Sequence, residues 1–549
     1  MKDFIIKKED VGMSVYDFFK KQELDFVPIA FSINNRLVTH DTLVELNDLV
    51  VSYSMTHKIG YNVYKESLGF LLTYVVKSLL PAGNFELSHT ISKSTYGCFR
   101  DGLLITSDDA VRIKSKMKEI IKSDLPFKVK HMTRDEALKV FENYSNFNEK
   151  HQYGDKFPEE IPMYSIGDDE SFMDNYYGPL VPSAKYLEMF DVQHFMPGVL
   201  LRLAKRNNPN KLFLFEEQPK IFDMIEETNR IVNILELSYI TSLNRQIIEG
   251  RGKEMILIGE ALQEQKIAQI AKHISNNSYK YQLIMISGPS SSGKTTFSKK
   301  MKVSLMAHGH KPILMSLDDF YLNRDSTPLD EDGKPDFENI HSIDIELFQD
   351  TLTKLINGEE VETPVFNFKT GMREHTGNKI KKDKESPIII EGIHGMNPIL
   401  TSKVPRHMKY IVYVTALTPL NLDPSNHIKT ADGRIIRRMV RDNRFRSLDT
   451  EKTFSIWPSV RKGEENNIFK YQELADIHFN SSLPHELNVL KVYAEPLLKT
   501  VTADSIYYIE AQHLLNILRF CEPLDAMWVP SNSILREFIG QGIMGGLDV

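Results

Sequence analysis

The stretch LIMISGPSSSGKTTFSKKM, residues 283–301, decides how the second half of this chain is read. It starts as an apolar run, turns through Gly, Pro and three Ser, and continues as a basic, helix-like segment. Gly288-Pro-Ser-Ser-Ser-Gly293-Lys294-Thr295 fits G-x-x-x-x-G-K-[ST] between a strand and a helix. Glycines let the backbone curl so that several N–H groups converge on a phosphate, and the following helix N-terminus adds partial positive charge. Gly288, Ser290, Ser291, Ser292, Gly293, Lys294, Thr295 and Thr296 are therefore expected around the phosphates of a nucleoside triphosphate. Lys294 would reach the β/γ-phosphates, and the Thr295 hydroxyl would bind Mg²⁺. A chance Gly/Ser loop beside a lysine is the plain alternative, and the strand and helix on either side weigh against it.

From this loop onward, strand-like and helix-like segments alternate: YQLIMIS, KPILMSLDDFY, SPIIIEG and KYIVYV, with helical stretches between. That order predicts an α/β fold with a parallel sheet covered by helices. Two of the strands end in acids. Glu391, after PIII, can hold Mg²⁺ or its water, or is an ordinary loop acid. Asp318, in SLDDFY, can orient a hydroxyl nucleophile and take its proton, or the Asp pair caps the next turn. In ADGRIIRRMVRDNRFR, residues 431–446, Arg434, Arg437, Arg438 and Arg441 fall on one face of a helix. Arginines on a mobile segment can clamp a transferring phosphate; a solvated charged face is the alternative. An N-K-x-D base-reading motif does not occur, which argues against a switch GTPase.

The order of motifs over about 281–495 resembles the uridine kinase/phosphoribulokinase family of P-loop kinases: the loop, SLDDFY, PDFENIHSIDIELF, PVFNF, EGIHG and RIIRRMVRD. The resemblance implies Asp318 as the catalytic carboxylate, close to Mg²⁺. It implies Tyr321, Phe337 and Glu338 in the sugar and base pocket, Phe366, Phe368 and Arg373 around the base, and Arg434, Arg437, Arg438 and Arg441 as lid and substrate-end contacts. Arg437 and Arg441 are thereby catalytic candidates beside Lys294, and Arg438 an ATP contact. This sequence departs from uridine kinases on the base side. Their motif is P-x-Y-D-F with a His three residues on; here stand Phe366, Asn367, Phe368 and Gly371. A pocket that hydrogen-bonds a base discriminates through such groups, so the identity of the acceptor is open, with His375 the nearest substitute for the imidazole.

A chain of 549 residues needs several cores. Residues 1–57 read as short strands around one helix, with a strand–Asn-Asn-Arg–strand turn, and resemble the TGS domain, a β-grasp module. Residues 58–217 resemble the second additional domain of threonyl-tRNA synthetases, an α+β domain. That domain edits with an H-x-x-x-H helix and a C-x-x-x-H pair, neither of which is here, so no zinc and no editing are expected, and His89 reads as structural or surface. Residues 218–275 read as a helical connector, 276–500 as the kinase domain and 501–549 as an extension packing on it. The whole layout resembles bacterial nucleoside kinases that join these three regions.

The net charge of −7 excludes a general nucleic-acid or membrane coat. Two cysteines, Cys98 and Cys521, exclude a disulfide framework. No signal-length apolar segment opens the sequence and no run has membrane length, so a cytoplasmic location is expected. The reading is an ATP- and Mg²⁺-dependent transfer of phosphate to a small-molecule hydroxyl, foremost the 5′-hydroxyl of a nucleoside. The alternatives are another sugar or a pantothenate-like alcohol as acceptor, or an RNA- or ribosome-associated ATP-binding regulator. RNA is a candidate ligand of the front half, and a homo-oligomer is open. The basic run RIKSKMKEIIK, 112–122, reads as a solvated helix face.

Overall fold

The computed structural model describes residues 1–143, 148–331, 333–367 and 370–545. Strands Lys2–Ile5, Pro28–Ile33, Arg36–Val38 and Leu49–Ser54 form a sheet in the order first, fourth, second, third, with every pair antiparallel. Asn34 and Asn35, both at positive φ (49° and 57°), close the tight hairpin between the middle pair, as a two-residue turn that follows strand twist requires. The helix Val15–Lys20, capped by Ser14, buries Phe18 and Phe19 against Phe31.

The second module is built on the helix Lys58–Leu79, which buries Val63, Tyr64, Leu68, Phe70, Leu71, Leu72, Val75 and Val76. It packs among a sheet containing Phe85–Ile91, Ser94–Phe99, Phe190–Phe195 and Gly198–Lys205, a three-stranded sheet (Phe127–Thr133, Glu160–Ile166, Asp169–Asp174) and the helix Ser107–Lys122. The basic run on that last helix is partly spent on ion pairs, Lys114–Asp191 at 2.6 Å and Lys116–Glu119 at 2.8 Å.

In the second half, Ile313–Ser316, Ile388–Glu391, Leu283–Ser287, Lys409–Thr415 and Ile477–Asn480 form, in that spatial order, an all-parallel sheet. Its apolar strands are buried on both faces. Ile267, Ile270 and Ile274 of the helix Gly252–Asn276 share a cluster with Phe297, Met301 and Leu305 of the helix Lys294–Ala307. The helix of residues 252–276 thus belongs to the layer covering this sheet.

The two halves share one core. It runs from Ile29 through Phe70 and Phe127 to Ile436, Val489, Leu518 and Phe538. Residues 416–429, which lead from the fourth strand of the parallel sheet to the helix Thr430–Arg446, lie against the second module. Leu87 N–H donates to the Pro424 carbonyl (2.9 Å), Tyr177 Oη to Asp423 (3.0 Å), and Ile240 N–H to the Asn421 carbonyl (3.0 Å). Wholly buried Lys150 bridges Asp174 and Asp423. Among the described residues, no helix is long and apolar enough to cross a membrane.

Candidate active site

Parallel register puts the candidate residues together. Ile286 on the central strand lies opposite Glu391, and Glu391 opposite Ser316, so three neighbouring strands end at one place, where open α/β sheets bind ligands. The central strand feeds the Gly288–Thr295 loop, Glu391 ends the second, and the third turns at Ser316 into a short 3₁₀ turn, Leu317–Phe320, carrying Asp318. Ser316 Oγ donates to Glu391 Oε1 at 3.1 Å. Both loop glycines have a reason to be glycine. A Cβ on Gly288 would lie 1.9 Å from the Val414 carbonyl oxygen, and one on Gly293, at φ +82°, 2.5 Å from Ile534 Cγ2.

Lys294, Glu391 and Asp318 perturb one another. Burial pushes the Lys294 ammonium down, against the pull of Glu391, Glu537 and Asp318. Burial, then the Asp318 charge, raises Glu391 to about 7. Burial also raises Asp318, opposed by Lys294, Arg446 and Arg441. The neighbouring acid is committed elsewhere: Asp319 Oδ1 accepts the Phe366 N–H at 3.3 Å. Strongly perturbed groups converging at strand ends mark functional sites. Asp318 and Glu391 offer carboxyl oxygens at the strand ends, and Thr295, an exposed residue in the first turn of the helix Lys294–Ala307, offers a hydroxyl; hard oxygen donors of this kind suit Mg²⁺.

The arginine helix, expected as a clamp on transferring phosphate, is packed into the protein. Thr430–Arg446 is largely buried, with Arg434 at 1% and Arg437 at 0% exposure. Arg434 pairs with Glu464, and its Nε donates to the Ser290 carbonyl at 2.9 Å. Arg437 makes a two-pronged pair with Glu486 and reaches the Ser291 carbonyl at 3.3 Å. These two hold backbone carbonyls of the phosphate loop, and each is paired with a buried carboxylate, as a guanidinium in the interior requires. Arg438 Nη1 donates to Ser290 Oγ at 2.8 Å. Arg441 pairs with Asp442 at 2.8 Å, and the positive charges of Arg446 and Arg441 counter the burial that raises Asp318.

Several groups on the loop were not legible beforehand. Glu464 Oε1 accepts the Ser290 N–H at 2.9 Å. Glu537 Oε2 accepts both Thr296 N–H (3.1 Å) and Thr296 Oγ1 (2.9 Å). Lys294 Nζ donates to the Pro289 carbonyl at 3.0 Å. Neither glutamate lies in a recognisable motif. Glu537 sits in SNSILREFIGQG, residues 531–542, where nothing local marks it as a loop partner.

On the acceptor side, the Tyr321 and Phe366 rings lie 5.7 Å apart, and Tyr321 Oη donates to the Phe337 carbonyl at 3.1 Å. Phe337 is exposed, while burial and then the Glu464 charge raise Glu338 to about 7. Arg373 is engaged by Asp344 at 2.8 Å, which takes up much of its capacity for a base. His375 is exposed on the hairpin Glu360–Asn367/Met372–Lys381, 3.7 Å from Glu362. Phe368 lies outside the described residues. His89 is buried and meets His427 edge to face at 5.7 Å, and burial lowers it to about 4.

Residues 283–485 match the family model described as Phosphoribulokinase / Uridine kinase family. Threonine–tRNA ligase of Marinobacter nauticus is 29% identical over 168 residues, 30% of this chain and 25% of that protein; the similarity falls in the front half. The chain spans about a quarter of the length of the curated relatives it matches first. Solved structures include a putative fructose transport system kinase from Silicibacter sp. TM1040 (18% identity, TM-score 0.28, 39% of this chain and 98% of that one). A possible uridine kinase from Bacillus stearothermophilus is 16% identical, with TM-score 0.28 and coverage of 39% and 98%.

Proposed function

We propose, from the premise that residues 283–485 form a phosphoribulokinase/uridine kinase-family domain, that this protein transfers the γ-phosphoryl group of ATP to a hydroxyl of a small molecule, foremost the 5′-hydroxyl of a nucleoside. The observation carrying the reading is the meeting of Lys294, Glu391 and Asp318 at the ends of three parallel strands beside the phosphate loop. Lys294 and the loop amides would hold phosphate charge. Thr295, Glu391 and Asp318 would hold Mg²⁺, which when bound neutralises charge on the phosphates. Asp318 would take the acceptor proton as the acceptor oxygen bonds to the γ-phosphorus and the bond to the leaving ADP oxygen breaks; its raised pKa suits a base. Arg438, on Ser290 Oγ, and Arg441 would add positive charge for the transfer, and Arg434 and Arg437 would keep the loop in shape for it.

The Tyr321–Phe366 pair supports an acceptor with a flat ring. The missing tyrosine, carboxylate and imidazole of the base-side motif favour a second acceptor class, a sugar or a pantothenate-like alcohol. Purified protein with ATP and Mg²⁺, offered each common ribo- and deoxyribonucleoside, sugars and pantothenate, separates them by product mass. Preference for one nucleoside is the expected result. Preference for a sugar or pantothenate would overturn the nucleoside assignment. No transfer to any acceptor would overturn the kinase reading in favour of an ATP-binding regulator, for which the front half's similarity to threonine–tRNA ligases makes RNA the next ligand to test.

A further inference from the structure

The segment following Pro530 runs along the helix that leaves the phosphate loop. Lys300 Nζ donates to the Asn532 carbonyl at 2.7 Å, and Thr296, one turn earlier, donates twice to Glu537. Ile534 packs so closely on Gly293 that a Cβ there has no room. The segment's own backbone is anchored. Arg536 donates to the Ala526 carbonyl at 2.8 Å, Phe538 lies 4.8 Å beneath the Arg437 guanidinium, and Leu535, Phe538 and Ile539 are buried. The side chain of Glu537 is thus delivered to one place. That place is the first turn of the helix Lys294–Ala307, where the Thr296 N–H has no partner within the helix and the helix end favours an anion.

We propose that Glu537 is a built-in competitor for the phosphate seat of the nucleotide site, so that a triphosphate binds only when this carboxylate has rotated away from Thr296. The inference rests on the nucleotide reading of the loop above. Two anions cannot share one pair of donors: phosphate oxygens reaching the helix's first turn need the Thr296 N–H and hydroxyl that Glu537 holds. The protein has a closed state with Glu537 on Thr296 and an open one, and nucleotide affinity is scaled down by the fraction open. Because the segment's backbone is pinned at Arg536 and Phe538, opening is a rotation of one side chain and not a release of the segment.

The test is calorimetric binding of ATP, and of inorganic tripolyphosphate, to the full chain as wild type, Glu537→Ala and Glu537→Gln, with thermal unfolding as the check on folding. Glu537→Ala is expected to bind both ligands about ten- to a hundredfold more tightly, the weight of hydrogen bonds to a charged group. Glu537→Gln, which loses the charge but can still accept, falls between. Unchanged or weaker binding by a folded Glu537→Ala would overturn the proposal and make Glu537 a strut of the helix. If the alanine variant does not fold, Glu537→Gln decides in the same sense. No binding of ATP by wild type or variants would overturn the nucleotide reading, and the competition with it; equal binding by all three would overturn the competition alone.

Discussion

Replacing Lys150 by methionine should destabilise the half of the protein that does not contain it. The Lys150 ammonium, 0% exposed, pairs with Asp174, lies 3.4 Å from Asp423 and donates to the Asn175 carbonyl at 3.0 Å; both aspartates are also 0% exposed. Breaking a buried pair from one side leaves uncompensated charge and costs about 3–5 kcal/mol. Here two carboxylates lose one cation, but each keeps other donors. Asp174 retains Ser425 Oγ (2.6 Å) and the Asn175 N–H (2.8 Å); Asp423 retains Tyr177 Oη (3.0 Å) and the Ser425 and Asn426 N–H groups (2.9 Å each). That places the loss at the lower end, about 3 kcal/mol. Lys150 and Asp174 belong to the second module, whereas Asp423 lies in the approach to the arginine helix. The chain's two tryptophans, Trp457 and Trp528, are both in the second half, so their fluorescence during urea unfolding reports on that half alone. The expected result is a lower urea midpoint by fluorescence and by circular dichroism together. Adding Asp423→Asn should cost less than the sum of the single changes, by at least about 1 kcal/mol. A tryptophan transition that stays put while circular dichroism shows an early phase would refute the shared-core argument.

Asp318→Asn should lower phosphoryl transfer about 10²–10⁴-fold while leaving ATP binding in place; transfer of labelled γ-phosphate near the wild-type rate would remove Asp318 from the mechanism. Glu338, raised to about 7, favours its protonated form in the fold. Its contribution is complete below about pH 4.5 and lost as pH rises through 7, a fall of at most about 3 kcal/mol. Urea unfolding from pH 5 to 8 should show that slope in the wild type and a flatter one in Glu338→Gln, and identical slopes would contradict the burial argument. Gly293→Ala forces a Cβ to within 2.5 Å of Ile534 Cγ2 at φ +82°. Stability should fall by more than about 1 kcal/mol and titrated ATP affinity by about tenfold or more; unaltered affinity would mean that the loop's curl is not what holds phosphate.

Much of the candidate site's framework is local and was therefore legible in residue order. Gly288 and Gly293 bracket a turn that only a strand–loop–helix can use, and the apolar runs LIMIS, ILMS and IIIE are the observed strands Leu283–Ser287, Ile313–Ser316 and Ile388–Glu391. The acids ending two of those runs came to the loop because parallel strands align their carboxyl ends. Less patterned elements escaped. The fifth strand, IHFN, is four residues of mixed polarity, and the Met372–Lys381 arm of the hairpin is mostly exposed and charged. The arginine spacing correctly put four guanidinium groups on one helix, yet it could not say what that helix faces. Their partners, Glu464 and Glu486, stand 30 and 49 residues from Arg434 and Arg437, and Glu537 is 241 residues from Thr296. Periodicity in a sequence records the geometry of a backbone over a few turns. Which charge neutralises which, and whether a basic face meets water, phosphate or a buried carboxylate, is set by packing between segments distant in the chain, where desolvation makes an unpaired charge too costly to leave.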